Sequence, residues 1–358
     1  QAFEATLLLM IEPALSPLFA WLVHGLHPIG ADDVGRVLRL LLIIPLYLFL
    51  RHIVGLERSW WAGLTLGALI AGCYALWHSM TGGEGQWHDR VSGPTNPIYF
   101  GGIVLAFGLM LLPRISDTSI SLRQRVLVTL AVLFALLASA LSGSRGAWLA
   151  LPPLLLLYVL TLGSHQRPVW RFGVPLVLLL AAFLIGLLPA VPLGLRVTEG
   201  LSAVMALAQG DVPVGSLGIR WALWQISIQG AIENLVVGGG PGAFRLYLEQ
   251  AVAAGQLDEF FLRYHHPHNQ YVSALLIAGI PGLLSLIALL ALPLFVLLHQ
   301  RRRESDAIRR FGWCVLTMVL VFAVMSLTES IFQRNNGIVW FALLISLGSA
   351  LLNTANDQ

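Results

Sequence analysis

The sequence predicts an all-α fold, a polytopic transmembrane helical bundle, and three observations carry that prediction. Of its 358 residues, 57% are hydrophobic and only 11% are charged, whereas a soluble domain carries about 25% charged residues. Several apolar runs approach the ~20 residues that span a bilayer as a helix. The alternating ~10-residue pattern of a membrane barrel is missing, and lipid leaves the backbone only helix or closed barrel as ways to pair its polar groups.

Ten apolar segments follow in order, near 5–24, 37–55, 60–80, 97–113, 125–142, 146–162, 171–192, 269–298, 311–328 and 337–353. A longer and more polar stretch, with Gly-rich and amphipathic parts, separates the seventh from the eighth. The chain therefore divides into membrane helices over 1–192, a loop domain over 193–268 and further membrane helices over 269–358. Cys73 and Cys314 lie inside apolar runs and form neither a disulfide framework nor a metal-ligand spacing. The first residue is Gln, and no basic region precedes the first apolar run, so no cleavable signal peptide is predicted.

All 21 basic Lys/Arg positions are Arg. Short cytoplasmic loops of membrane proteins are enriched in such residues. The loop "HQRRRESDAIRR" holds Arg301, Arg302, Arg303, Arg309 and Arg310, which assigns it to the cytoplasm. Alternation then puts Arg51, Arg58, Arg114, Arg123, Arg125, Arg167 and Arg171 on the same side. Arg36, Arg39, Arg90, Arg145 and Arg334 fall on the other side. Both termini face the cytoplasm in this scheme, and the 193–268 stretch faces out. Trp60, Trp61 and Trp87 stand at helix ends or nearby loops, as interface anchors do. In "RWALWQISIQGAIENL", Trp221, Trp224, Ile228 and Ile232 recur at helical spacing. This reads as an amphipathic helix, either lying on the membrane surface or packed on the bundle.

Candidate chemistry concentrates on the outward side. His265, His266 and His268 precede the segment that begins near Asn269. An imidazole titrating near neutrality is the usual general acid or base. A metal site and interfacial histidines without a chemical role are the alternatives. Adjacent His265 and His266 point in different directions on most backbones, which disfavours a metal, and no metal is assigned. Asn269 can orient a sugar hydroxyl or the imidazole. In "SGSRGAWLALP", Arg145 follows Ser142, Gly143 and Ser144, and a guanidinium at a helix start makes an oxyanion site. A snorkelling Arg is the bland alternative. Arg196, Arg220, Arg245 and Arg263 recur through the polar stretch, with Arg220 at the opening of the amphipathic helix. The glycines of "VVGGGPGAFRLYL" lack the Gly-Lys-Ser/Thr ending of a phosphate loop and read as a tight turn beneath a site. No D-x-D motif faces out, and Glu329 reads as a solvated loop charge. Arg and His without an obvious metal cage suit a diphosphate and a proton transfer.

From His268 the sequence reads His-Asn, nine residues, Gly279, two residues, Gly282. This resembles the H-N/S/Q-x9-G-x-x-G/T/Y signature of bacterial O-antigen ligases. Arg145 with Leu149 matches that family's R-x3-L element, and "RWALWQISIQGAIENLVVGGGPGAFRLYL" looks like the stretch that precedes the family histidine. The likeness covers roughly residues 90–350. The family typically has about twelve membrane helices, and the ten segments here point to missing N-terminal ones.

The resemblance implies a multi-pass protein of the bacterial inner membrane with its active site in the periplasm, where 193–268 would form the loop domain. It implies transfer of O-antigen polysaccharide from undecaprenyl diphosphate to lipid A–core oligosaccharide, without metal or other cofactor and with inversion. Partners would be the lipid-linked donor, the lipid A–core acceptor and membrane lipids, with no nucleic acid. In this reading His268 is the base, and Arg145 and Arg220 hold the diphosphate with help from Arg245 or Arg196. Asn269 and His266 contact substrate. An O-antigen polymerase or a protein O-oligosaccharyltransferase using the same donor is the alternative. A transporter would need more intramembrane charge than Glu12 supplies.

Overall fold

The computed structural model describes residues 22–23, 35, 38–81, 90–93, 95–162, 167–188, 193–209, 215–300 and 305–356. Segment 5–24, Trp87, Arg36 and Arg301–Arg303 lie outside these residues or almost wholly so, and the side chain of Arg196 lies outside them too. All regular structure among the described residues is helical. Among the described residues, seven helical stretches are long and apolar enough to cross a membrane: 56–81, 97–115, 122–141, 168–186, 270–295, 306–325 and 335–353. Two predicted segments appear as shorter apolar helices, over 39–50 and 145–160.

The chain packs as two units. One comprises 1–45, 194–293 and 326–343, and the other 46–193, 294–325 and 344–358. The helices in chain order are α1 (Ile43–Leu50), α2 (Leu56–Thr81), α3 (Pro97–Met110), α4 (Leu112–Ile115), α5 (Leu122–Leu141), α6 (Arg145–Trp148), α7 (Leu151–Leu160), α8 (Pro168–Gly186), α9 (Leu193–Ala208), α10 (Ser216–Glu233), α11 (Ala243–Ala253), α12 (Gln270–Gln300), α13 (Asp306–Met325) and α14 (Asn335–Asn356).

In the second unit, α2, α3, α5 and α13 pack closely. Small residues allow it, as they do wherever dispersion rather than hydrophobic exclusion joins helices in lipid. A Cβ at Gly72 would lie 2.5 Å from Phe134, and one at Gly108 would lie 2.8 Å from Ala135. Trp313 Nε1 donates to the Leu109 carbonyl at 2.7 Å, closing a buried polar pair. Trp60 and Trp61 are buried among the helices: Trp61 stacks on Phe311 at 5.6 Å beneath the Arg114 guanidinium. The predicted segment 146–162 is broken into α6 and α7 around Leu149 and Ala150, ahead of Pro152 and Pro153.

The first unit is built on α10, α11 and the first half of α12, whose shared core is Leu223, Ala231, Ala243, Phe244, Leu248 and Leu276. α10 thus packs inward through Leu223, Ile226, Ser227 and Gly230, while Ile228 and Ile232 of the predicted apolar stripe stay exposed. The packing against α11 and α12 fits the packed reading of this helix, and the exposed Ile228 and Ile232 leave a second apolar face.

α12 is interrupted at Ala278 and Gly279, about 13 Å along its axis at 1.5 Å per residue. A break inside an apolar helix strands carbonyls and amides that lipid cannot satisfy. The glycine-rich turn after α10 supplies them: Gly239 N donates to Leu276 O at 2.8 Å, Gly240 N to Ile277 O at 3.0 Å, and Ile280 N donates to Leu235 O at 2.7 Å. Gly279 has φ +64°, and a Cβ there would meet Leu235 O at 2.5 Å, so this position takes only glycine. Gly279 therefore sits at a backbone junction that fixes the half-helix over 270–277, while a Cβ at Gly282 would lie 2.5 Å from the Ala278 Cβ.

Candidate active site

The half-helix begins at Asn269, whose Oδ1 accepts from the Tyr271 and Val272 amides at 3.0 and 3.1 Å. This N-cap occupies the oxygen that the sequence offered to a sugar or an imidazole. Gln270 then ties the segment to the loop between α13 and α14: its amide donates to Ser326 O at 2.8 Å, and its Oε1 accepts from Phe332 N at 2.8 Å. Gln333 Nε2 donates to Ser273 Oγ. Two loops far apart in sequence, 264–269 and 326–334, are thereby held side by side.

Their contents meet in a compact cluster. His268 Nδ1 lies 3.1 Å from Glu329 Oε2, and His266 Nε2 lies 3.5 Å from Glu329 Oε1. Glu329 is 0% exposed, so the solvated loop charge expected from sequence is instead a buried carboxylate. Arg334 donates from Nε to His266 Nε2 at 3.3 Å, with its NH2 group 3.2 Å away. The imidazoles of His266 and His268 cross at 4.4 Å, and Tyr264 meets His268 edge-on at 5.8 Å. His268 has φ +54°, the one non-glycine residue with positive φ among those described. Such backbone strain persists only where surrounding structure enforces it, and it collects at functional sites. His265 is exposed and makes no such contact.

Electrostatics separates the two buried imidazoles. Burial pushes His266 down to about 3, and although Glu329 opposes this, His268 and Arg334 add to it. With Nε2 accepting from Arg334, His266 is neutral and carries its proton on Nδ1, an atom buried without a partner. Burial raises the Glu329 carboxyl, but the His268 hydrogen bond and the charges of His268, His266 and Arg334 outweigh it and hold the group well below the usual carboxylate range. An ionised Glu329 selects one His268 tautomer: Nδ1–H donates to the carboxylate, so in a neutral imidazole the lone pair sits on Nε2. An imidazole oriented by a buried carboxylate is an arrangement also found in catalytic triads.

The ligating atoms of His266, His268 and Glu329 all lie within 4.8 Å of one another, a set that can hold a divalent ion. Arg334 argues against that use, because its guanidinium donates into the His266 lone pair a metal would need and adds positive charge beside it.

Among the predicted arginines, Arg245 is committed locally: its Nε pairs with Glu249 at 2.5 Å, and its NH1 donates to Leu262 O at 2.6 Å. It braces α11 against the 3-10 turn Glu259–Arg263. Arg220 lies in the second turn of α10, not at its opening. Arg196 falls on α9. Arg145 begins a helix of one turn whose N-cap, Ser144, makes no side-chain cap bond, so the helix-dipole part of the predicted oxyanion site is weak. Beside it, Arg90 Nε donates to Ser142 O at 2.8 Å. Arg145 belongs to the second unit, and Arg220, Arg245, His266 and His268 belong to the first. Glu329 and Arg334 were missed as site residues. The available signal was a lone carboxylate in the Ser-, Thr- and Gln-rich loop "SLTESIFQR" between two apolar helices.

A family model described as O-antigen ligase matches residues 130–287. That interval contains Arg145, α10, the glycine turn, the histidines and both signature glycines, and it is consistent with an O-antigen ligase superfamily member. An uncharacterised protein of Haemophilus influenzae (strain ATCC 51907 / DSM 11121 / KW20 / Rd) is 23% identical over 325 residues, which cover 87% of this chain and 78% of the relative.

Proposed function

Starting from that O-antigen ligase match, we infer that this chain is a membrane glycosyltransferase acting on lipid-linked glycans. Its finer activity, in this reading, is transfer of O-antigen polysaccharide from undecaprenyl diphosphate to lipid A–core oligosaccharide, at the periplasmic face of the bacterial inner membrane. The observation that carries it is the pairing of His268 Nδ1 with the buried Glu329 carboxylate.

The reaction runs in one displacement. His268 Nε2 takes the proton of the acceptor hydroxyl as its oxygen attacks the anomeric carbon. The bond from that carbon to the diphosphate oxygen breaks on the opposite face, which inverts the centre, and the electron pair leaves with the lipid diphosphate. Glu329 stabilises the imidazolium that forms. Arg145 and Arg220 hold the diphosphate in this reading, because planar guanidinium groups match its oxygens and offset charge developing on the leaving group. Arg334 joins them as the guanidinium nearest the cluster, while Arg196 and the locally committed Arg245 contribute less. His266 and Asn269 shape the acceptor side.

The test is a purified transfer assay with undecaprenyl-diphosphate glycan and lipid A–core. Wild-type protein should form lipopolysaccharide, and His268→Ala should lose about 10²–10⁴ in rate while remaining folded. Unchanged transfer in that variant removes the base assignment. A deletion strain that accumulates uncapped lipid A–core beside full-length lipid-linked polymer supports a ligase. Core bearing a single repeat points to a polymerase, and loss of protein glycosylation to an oligosaccharyltransferase.

A further inference from the structure

In the second unit, the end of α4 with the loop after it, Leu162 beyond α7, the start of α8 and the start of α13 line a cavity of about 350 Å³ that holds none of the residues assigned to the proposed transfer. Arg167, Arg309 and Arg310 line it together with Asp117 and Asp306, over a floor that includes Pro113 and Leu162. We propose that this cavity binds the headgroup phosphate of an anionic glycerophospholipid.

The charges do not cancel. Asp306 is taken by Arg309. Asp117 is shared: Arg114 pairs with it at 2.5 Å and Arg310 reaches it only at 3.6 Å, while Ser119 donates to it from both its amide and its hydroxyl. Arg167 has no carboxylate partner among the described residues. Among the described residues, the three guanidinium groups of Arg167, Arg309 and Arg310 thus line the cavity with two carboxylates, one of which Arg114 already pairs. The Nε–H groups of Arg310 and Arg125 are moreover buried without an acceptor among the described residues. Arg125 adjoins the cavity by donating to the Asp117 carbonyl at 3.0 Å. Buried donors left open around a positively charged cavity call for an anion.

The surroundings select a lipid over a soluble phosphate. Trp170 lines the cavity with Arg125 over its ring at 5.9 Å, the pairing of aromatic and cation found at headgroup level. α8 starts at the rim and leaves Val169, Phe172, Leu176, Leu180 and Phe183 exposed along its length, which gives acyl chains a track continuous with the headgroup site. Basic pockets between membrane helices bind acidic lipid headgroups in this way.

The experiment is native mass spectrometry of the detergent-purified full chain titrated with phosphatidylglycerol, cardiolipin, phosphatidylcholine or inorganic phosphate. Anionic lipid should bind more tightly than phosphatidylcholine, and millimolar phosphate should not displace it. Arg167→Gln with Arg310→Gln should weaken anionic lipid by about fivefold per arginine, whereas the exposed Arg123→Gln should not. Equal binding of phosphatidylcholine, displacement by inorganic phosphate, or a double variant that behaves like Arg123→Gln overturns the proposal. If the double variant does not fold, the wild-type comparison of the four ligands decides alone.

Discussion

Replacing Glu329 by Gln isolates what the buried carboxylate does for His268. The side chains are nearly isosteric, and the site is 0% exposed, so packing should persist while one charge is lost. With His268 Nδ1 at 3.1 Å from Oε2, the centre of the imidazolium charge lies about 4 Å from that of the carboxylate. At an effective dielectric near 20, that attraction is about 4 kcal/mol. Between half and all of it should appear in the barrier, because the imidazolium exists only once the proton has moved. This corresponds to roughly 30-fold to 10³-fold in kcat. KM for the lipid-linked donor should change little, since Glu329 does not face the diphosphate in this reading. Glu329→Asp keeps the charge and should recover part of the rate, which a purely structural role would not produce. The assay is steady-state transfer with both substrates varied, alongside thermal unfolding of each variant in detergent. A Glu329→Gln protein that folds and turns over at the wild-type rate, while His268→Ala is inactive, refutes the positioning role.

Other consequences can be measured with the same protein. Gly279→Ala should lose at least about 2 kcal/mol of stability, read as a lowered Tm, because alanine is strained at positive φ and its Cβ would meet Leu235 O; an unchanged Tm would mean that the junction with the glycine turn does not hold α12. The folded-state pKa of His266 is about 3, below its ordinary value near 6.5, so the unfolded chain binds that proton first. Stability should therefore fall as pH drops from about 6.5 toward 3, with Glu329 adding to the loss below about 4.5 because its pKa too is lowered. His266→Asn should flatten the upper part of this decline in Tm measured across pH 4–7, and a wild-type Tm that rises on acidification contradicts the assignment of a buried neutral imidazole. Chelators should leave transfer unchanged, given the Arg334 bond to His266. Activity lost to a chelator and restored by one equivalent of zinc would instead make His266, His268 and Glu329 metal ligands and end the base mechanism.

Composition and run length alone determined that the chain is a helical membrane protein, because the cost of an unpaired backbone group in lipid admits so few solutions. The same local reasoning reached the histidine pair, the start of a helix at Asn269 and the glycine turn, since each is written in a few adjacent residues. Tertiary structure decided the rest. Glu329 reads as an ordinary loop acid until the 326–334 loop is laid against 264–269, and only that pairing, 61 residues apart in sequence, makes it a buried partner of His268. Asn269 and Arg245 looked like substrate ligands because sequence shows which donors and acceptors exist but not whether the backbone has already claimed them. Gly279 could be counted by spacing, yet its reason lies in a positive φ and a close approach to Leu235 that exist only once α12 breaks. Burial and hydrogen-bond satisfaction belong to the whole packed chain, so which polar groups remain available for chemistry could not be read from any one stretch of it.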